Sequence, residues 1–205
     1  MAHSDPKLSG KEVWQKLMEG NQRFVQGAPL ARNLPELRRH LLKGQHPGAA
    51  VLCCSDSRTP AEIIFDQSLG DLFVVRSAGL VLEPTTLGSL EYAVAHLHVP
   101  LLVILGHEFC GAVTAAVEHP EPEEGNIGAI VKQIAPAVRL AHQSGKMVKE
   151  ELVEIATETF LSLITDSLKR KNPVISKALH AQRLELVTAK YFLTTGQVEM
   201  LASTF

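Results

Sequence analysis

The chain has 205 residues, 45% hydrophobic and 20% charged, the size and balance of one soluble globular domain with a real core. Its formal net charge of -2, without a long basic run, excludes the electrostatic footprint of a nucleic-acid binder, and no apolar stretch is long enough to span a membrane. Three cysteines, two of them adjacent, make a poor disulfide framework, so a reducing compartment is expected, the cytoplasm if the sequence is full length.

Met1 to Gly10 is polar and lacks the apolar core of a signal peptide. Val13, Trp14, Leu17, Met18, Phe24 and Val25 then recur at helical spacing, with Ser9 as N-cap and Glu12 placed for a capping box. Gly27, Pro29 and Pro35 are expected to break this pattern into a connecting arm, so that residues 1–40 form an N-terminal helical arm. Ala49 to Cys54 is a short apolar run that predicts a buried strand. Thr59-Pro60-Ala61-Glu62 predicts a helix start with Thr59 as its cap.

Leu72 to Arg76 predicts a second buried strand, closed by Ser77-Ala78-Gly79, and Thr86 to Leu97 a helix. Leu101 to Leu105 is the most apolar strand, ended by Gly106, and Gly111 to Val117 is the next helix. His119 to Gly125 is an acidic loop; Ile127 to Ala141 and Val148 to Lys169 are amphipathic helices. Leu184 to Leu193 and Gln197 to Leu201 flank Thr194-Thr195-Gly196 as a terminal hairpin. Strands that alternate with helices and are apolar on both faces predict an α/β fold, a mostly parallel β-sheet flanked by helices. Without a repeat or dividing linker, residues 1–205 read as one domain.

In such sheets the site lies beyond the carboxyl ends of the strands. Cys54 ends one strand, and His107 and Cys110 follow another, so both segments arrive at one edge. Two thiolates and an imidazole are a complete protein ligand set for a catalytic zinc, which keeps its fourth position for water or substrate. Asp56 and Arg58 follow the first ligand by two and four residues. A carboxylate there has three options: to ligate the metal as a fourth ligand in a closed state, to accept a proton from water, or to pair with arginine. A bidentate pair with Arg58 would keep Asp56 ionised and off the metal.

Cys-Ser-Asp-Ser-Arg at 54–58, Gly-Asp-Leu-Phe-Val-Val-Arg-x-Ala-Gly at 70–79 and Gly-His-x-x-Cys-Gly-Ala at 106–112 together resemble the β-class carbonic anhydrases. The resemblance runs from about Glu19 to the terminal hairpin. It implies zinc-dependent, reversible hydration of carbon dioxide to bicarbonate and a proton by a homodimer or higher even homo-oligomer, with the N-terminal arm packing on a partner subunit. Cys54, His107 and Cys110 match the family's zinc ligands, and Asp56 and Arg58 its catalytic dyad. Gln45 matches a substrate-binding glutamine, Phe73 and Tyr92 match aromatic positions of a pocket built across the dimer interface, and Gly111 a glycine beside the zinc. Ser77 and Leu80 stand where the family often has asparagines, which implies a reshaped pocket wall. Cys53 reads as a small buried hydrophobe facing away from Cys54, and His96 and His98 as helix-terminal or surface residues. Two other functions fit the same site: hydrolysis of carbonyl sulfide or carbon disulfide, and a non-catalytic zinc-bound scaffold or bicarbonate sensor.

Overall fold

The computed structural model describes residues 8–119, 124–145 and 148–205; most of the acidic loop, 120–123, and most of the polar N-terminal segment, 1–7, lie outside them. Strands β1 (Ala49–Cys54), β2 (Leu72–Ser77), β3 (Leu101–His107), β4 (Glu185–Tyr191) and β5 (Val198–Ser203) form one sheet in the order β2-β1-β3-β4-β5. The first four run parallel, and β5 turns back antiparallel on β4 as the terminal hairpin. Helices α1 (Gly10–Val25) and α3 (Ala61–Ile64) cover one face of the sheet. Helices α4 (Pro84–Ala95), α5 (Gly111–Glu118), α6 (Ile127–His142), α7 (Lys149–Lys171) and α8 (Pro173–His180) cover the other.

Every residue of β1 and β3 is buried, because these central strands have a helical layer on both sides. Their alternate side chains feed two cores: Ala50, Leu52, Leu102 and Ile104 pack toward α4–α8, and Val51, Cys53, Val103 and Leu105 toward α1. Cys53 is thus the buried hydrophobe facing away from Cys54; burial pushes its thiol up to about 12. Strand β2 is only partly buried, unlike the buried strand its composition predicts, because it forms an edge of the sheet.

Ser9 caps α1 through the expected reciprocal bonds with Glu12. The arm after α1 is more helical than expected. Helix α2 (Leu34–His40) forms because Asn33 accepts from the Glu36 N–H, and Pro35 sits in the first turn, where no intrahelical donor is missed. Helix α8 begins the same way, with Asn172 accepting from the N–H groups of Val174 and Ile175 and Pro173 opening the helix. At α3 the cap is Pro60, without a side-chain bond; the Thr59 hydroxyl donates instead to the carbonyls of Cys54 and Asp56. Among the described residues no helix is long and apolar enough to cross a membrane.

Candidate metal centre and active site

The register Cys53↔Leu105 carries Cys54 to the level of Gly106, one residue short of His107, at the carboxyl edge of the sheet. Gly106 does not end β3 as the sequence suggests, and the strand runs on through His107. Cys110 is the N-cap of α5, so the turn 107–110 brings the imidazole and second sulfur back over β1. The ligand atoms of Cys54, His107 and Cys110 all lie within 4.8 Å of one another, and all three residues are buried. His107 Nδ1 lies 2.7 Å from the Glu108 carbonyl oxygen, to which only a protonated Nδ1 donates. Its Nε2 is then a bare lone pair, buried without a partner. An orphaned imidazole nitrogen facing two sulfurs is the donor set of a tetrahedral zinc site with one position open.

Cys54 is prepared for a cation. Backbone N–H groups of Asp56 and Gly79 point at Cys54 Sγ, each at 3.4 Å. The Cys54 thiol is held well below the ordinary range, first by a hydrogen bond from Cys110 and then, against burial, by those two amides. Cys110 is pushed up, because it gives that bond and is buried, while the Val113 and Ala112 N–H groups at the start of α5 oppose the rise. Gly79 reaches Cys54 only as glycine. Its φ is +65°, and a Cβ there would lie 2.9 Å from the Ala112 methyl group.

Asp56 and Arg58 form a fork at the rim. Arg58 Nε donates to Asp56 Oδ1 at 2.9 Å, Arg58 Nη2 to Oδ2 at 2.7 Å, and the Arg58 N–H also reaches Oδ1 at 2.9 Å. The guanidinium bond is the leading reason the Asp56 carboxyl falls to about 2. Asp56 is therefore an anion with both oxygens committed to arginine and lies outside the Cys–His–Cys group. Arg58 also donates to the Phe109 carbonyl at 3.3 Å, tying the two halves of the site together. Arg76, which the sequence offers only as a strand end, binds the carbonyls of Cys54 (2.9 Å) and Asp56 (2.6 Å) and so braces the loop carrying the dyad. A cation at the end of a strand beside a Cys-x-Asp turn is the signal that could have found it.

The other site candidates are placed differently. Gly111 begins α5 next to Cys110, with open space where a Cβ would stand. Ser77 closes β2 beside Cys54 and donates to the Val81 carbonyl; Leu80 is buried in the same core as Cys54 and Cys110. Phe73 and Tyr92 meet each other, with ring centroids 6.0 Å apart, and His96 stacks on Tyr92 at 5.2 Å. This aromatic pair is not beside the chain's own Cys–His–Cys group, because Phe73 pairs with Ala50, four residues, or about 13 Å, before the Cys54 level. Gln45 is exposed and precedes the start of β1, a strand's length of about 17 Å from its carboxyl end.

A family model described as carbonic anhydrase matches residues 49–198. The chain is 40% identical to a carbonic anhydrase of Mycolicibacterium smegmatis over 95% of both chains. It is 38% identical to carbonic anhydrase 2 of Mycobacterium tuberculosis, over 94% of this chain and 93% of that one. Among solved structures, the β-carbonic anhydrase CcaA superposes with a TM-score of 0.75 at 28% identity, over 92% of this chain and 95% of that one. A tetrameric β-carbonic anhydrase of Sordaria macrospora shares the fold, with a TM-score of 0.77 at 24% identity over 95% and 100% of the respective chains.

Proposed function

We infer the function of this chain from its family and its site: the chain belongs to the β-class carbonic anhydrases. We propose that it hydrates carbon dioxide reversibly to bicarbonate and a proton, with zinc held by Cys54, His107 and Cys110. The observation that carries this is the buried Cys–His–Cys group, with its unpartnered imidazole nitrogen, beside an ionised Asp56. Zinc in such a set supplies a Lewis acid that makes water a nucleophile near neutral pH. Asp56 is the residue proposed to orient that water or begin moving its proton, with Arg58 positioning the carboxylate; their fork supports this reading. The named relatives are carbonic anhydrases, which favours carbon dioxide over carbonyl sulfide and catalysis over a silent scaffold.

The working enzyme is a homodimer or a larger even oligomer. Gln45 and the Phe73–Tyr92 pair lie a strand's length from their own ligand set, so they serve substrate only if a second copy brings them to the site. The surface around the N-terminal arm suits such a contact, since Leu30, Leu34, Leu42 and Ile63 are 55%, 49%, 81% and 60% exposed. That one structural neighbour is tetrameric supports the same reading.

Metal analysis of Cys54→Ser protein, beside a hydration assay, tests the ligand assignment. Losing one thiolate from a three-ligand set should strip the purified protein of zinc and of turnover. A variant that keeps both would refute the assignment.

A further inference from the structure

Glu108 stands between two ligands, yet neither the metal set nor the dyad uses it. Its backbone carbonyl accepts the Nδ1–H of His107 at 2.7 Å and so fixes which nitrogen faces the metal. Its own N–H donates to the Tyr191 carbonyl at the end of β4. Its carboxylate reaches across to the turn between β4 and β5, where Oε2 accepts both the Thr194 N–H (3.1 Å) and the Thr194 hydroxyl (2.9 Å). Three hydrogen bonds to one hairpin therefore hold a residue whose carbonyl orients a ligand.

The anchor is firm. Across the base of the turn, Phe192 N–H donates to Gln197 and Gly196 N–H to Phe192. Asn21 of α1, buried, donates to the Gly196 carbonyl and accepts the Val198 N–H. The segment it restrains has reason to move: the next residue, Phe109, sits at φ +53°, a left-handed conformation that strains a residue with a Cβ. Without a tether at Glu108, that strain would favour a rotated peptide and a carbonyl turned away from His107.

We propose that Glu108 is a positioning residue for the metal centre: the β4–β5 turn, gripping its carboxylate through Thr194, sets the ring orientation and tautomer of His107. This inference rests on the zinc assignment above. It applies to Glu108 as a hydrogen-bond acceptor, so Glu108→Gln, which keeps an acceptor oxygen, should behave unlike Glu108→Ala.

The test is zinc affinity, by competition with a chromophoric chelator, together with visible absorption of the cobalt-substituted protein. Both are read on the full chain carrying Glu108→Ala, Glu108→Gln or Thr194→Val. Glu108→Ala should weaken zinc about 10-fold, the lower end for partners that orient a ligand, and alter the cobalt bands. Glu108→Gln should retain most of the affinity and the unaltered spectrum. Thr194→Val, which keeps shape and backbone donor but loses the hydroxyl, should fall between them and carries the test if Glu108→Ala folds poorly. Zinc affinity and cobalt spectrum unchanged in both Glu108→Ala and Thr194→Val would overturn the proposal, as would Glu108→Gln losing as much as Glu108→Ala. An unaltered chain that takes up no zinc would overturn the zinc assignment and this inference together.

Discussion

At the scale of single residues, two buried or half-buried carboxylates are held by arginines for different ends. Asp56 is paired with Arg58 two residues from Cys54, whereas Asp66 fastens the N-terminal arm to the body. Asp66, only 4% exposed, accepts from Arg23 Nε of α1 and Arg32 Nη1 of the arm, each at 2.5 Å, and from the Leu30 N–H. Burial would raise its carboxyl, but the bonds from Arg32 and Arg23 prevail and bring it from 3.8 to about 2. A depressed carboxyl contributes stability that is full above its unfolded value and lost as pH falls through the folded one, here from about pH 4 to about pH 2. Asp66→Asn should therefore cost about 3 kcal/mol at neutral pH, and urea unfolding should show a shallower loss of stability between pH 4 and pH 2 than in the unaltered chain. Such a pair was not legible in the sequence, because its members lie more than thirty residues apart and only the folded arm joins them. The Cys–His–Cys group was legible: a strand end and a His-x-x-Cys turn are local patterns, and a parallel sheet delivers both to one edge.

At the scale of elements, helix ends divide what could be read from what could not. Starts marked by Ser9 and Glu12 announce α1, but α2 and α8 are short, and their signals are Asn caps followed by prolines that equally suggest a break. Helix α1 closes through a left-handed residue after its cap, with Ala28 N–H bonding the Arg23 carbonyl and Gly27 N–H the Phe24 carbonyl. Helix α8 closes with the same pair of bonds, Arg183 to Ala178 and Gln182 to Leu179, but with Gln182 at φ +52°. Glutamine has a Cβ to accommodate there and is exposed, so it gains little from packing. Gln182→Gly should raise stability by about 1 kcal/mol and the melting temperature by about 2–4 °C in calorimetry, with the metal centre at the far end of the sheet untouched.

At the scale of the whole molecule, the layered sheet separates the residues proposed for the site into two groups. Its carboxyl edge gathers Cys54, His107, Cys110 and the Asp56–Arg58 fork, while Gln45, Phe73 and Tyr92 belong toward the opposite end. Their matched motifs are visible in sequence, but their distance from the ligands is a property of the register and could not be read from spacing. Metal and dyad are assigned to one chain, and a second copy is expected to complete the pocket. Hydration of carbon dioxide at this centre, with Asp56 as an active participant, is the proposal on which the rest depends. Stopped-flow hydration by the zinc-loaded protein, measured beside zinc-loaded Asp56→Asn, tests that most directly. Rapid turnover that falls about 100-fold in the variant while zinc stays bound is the expected result. No turnover from the unaltered, zinc-loaded protein, or equal turnover from both, would contradict it.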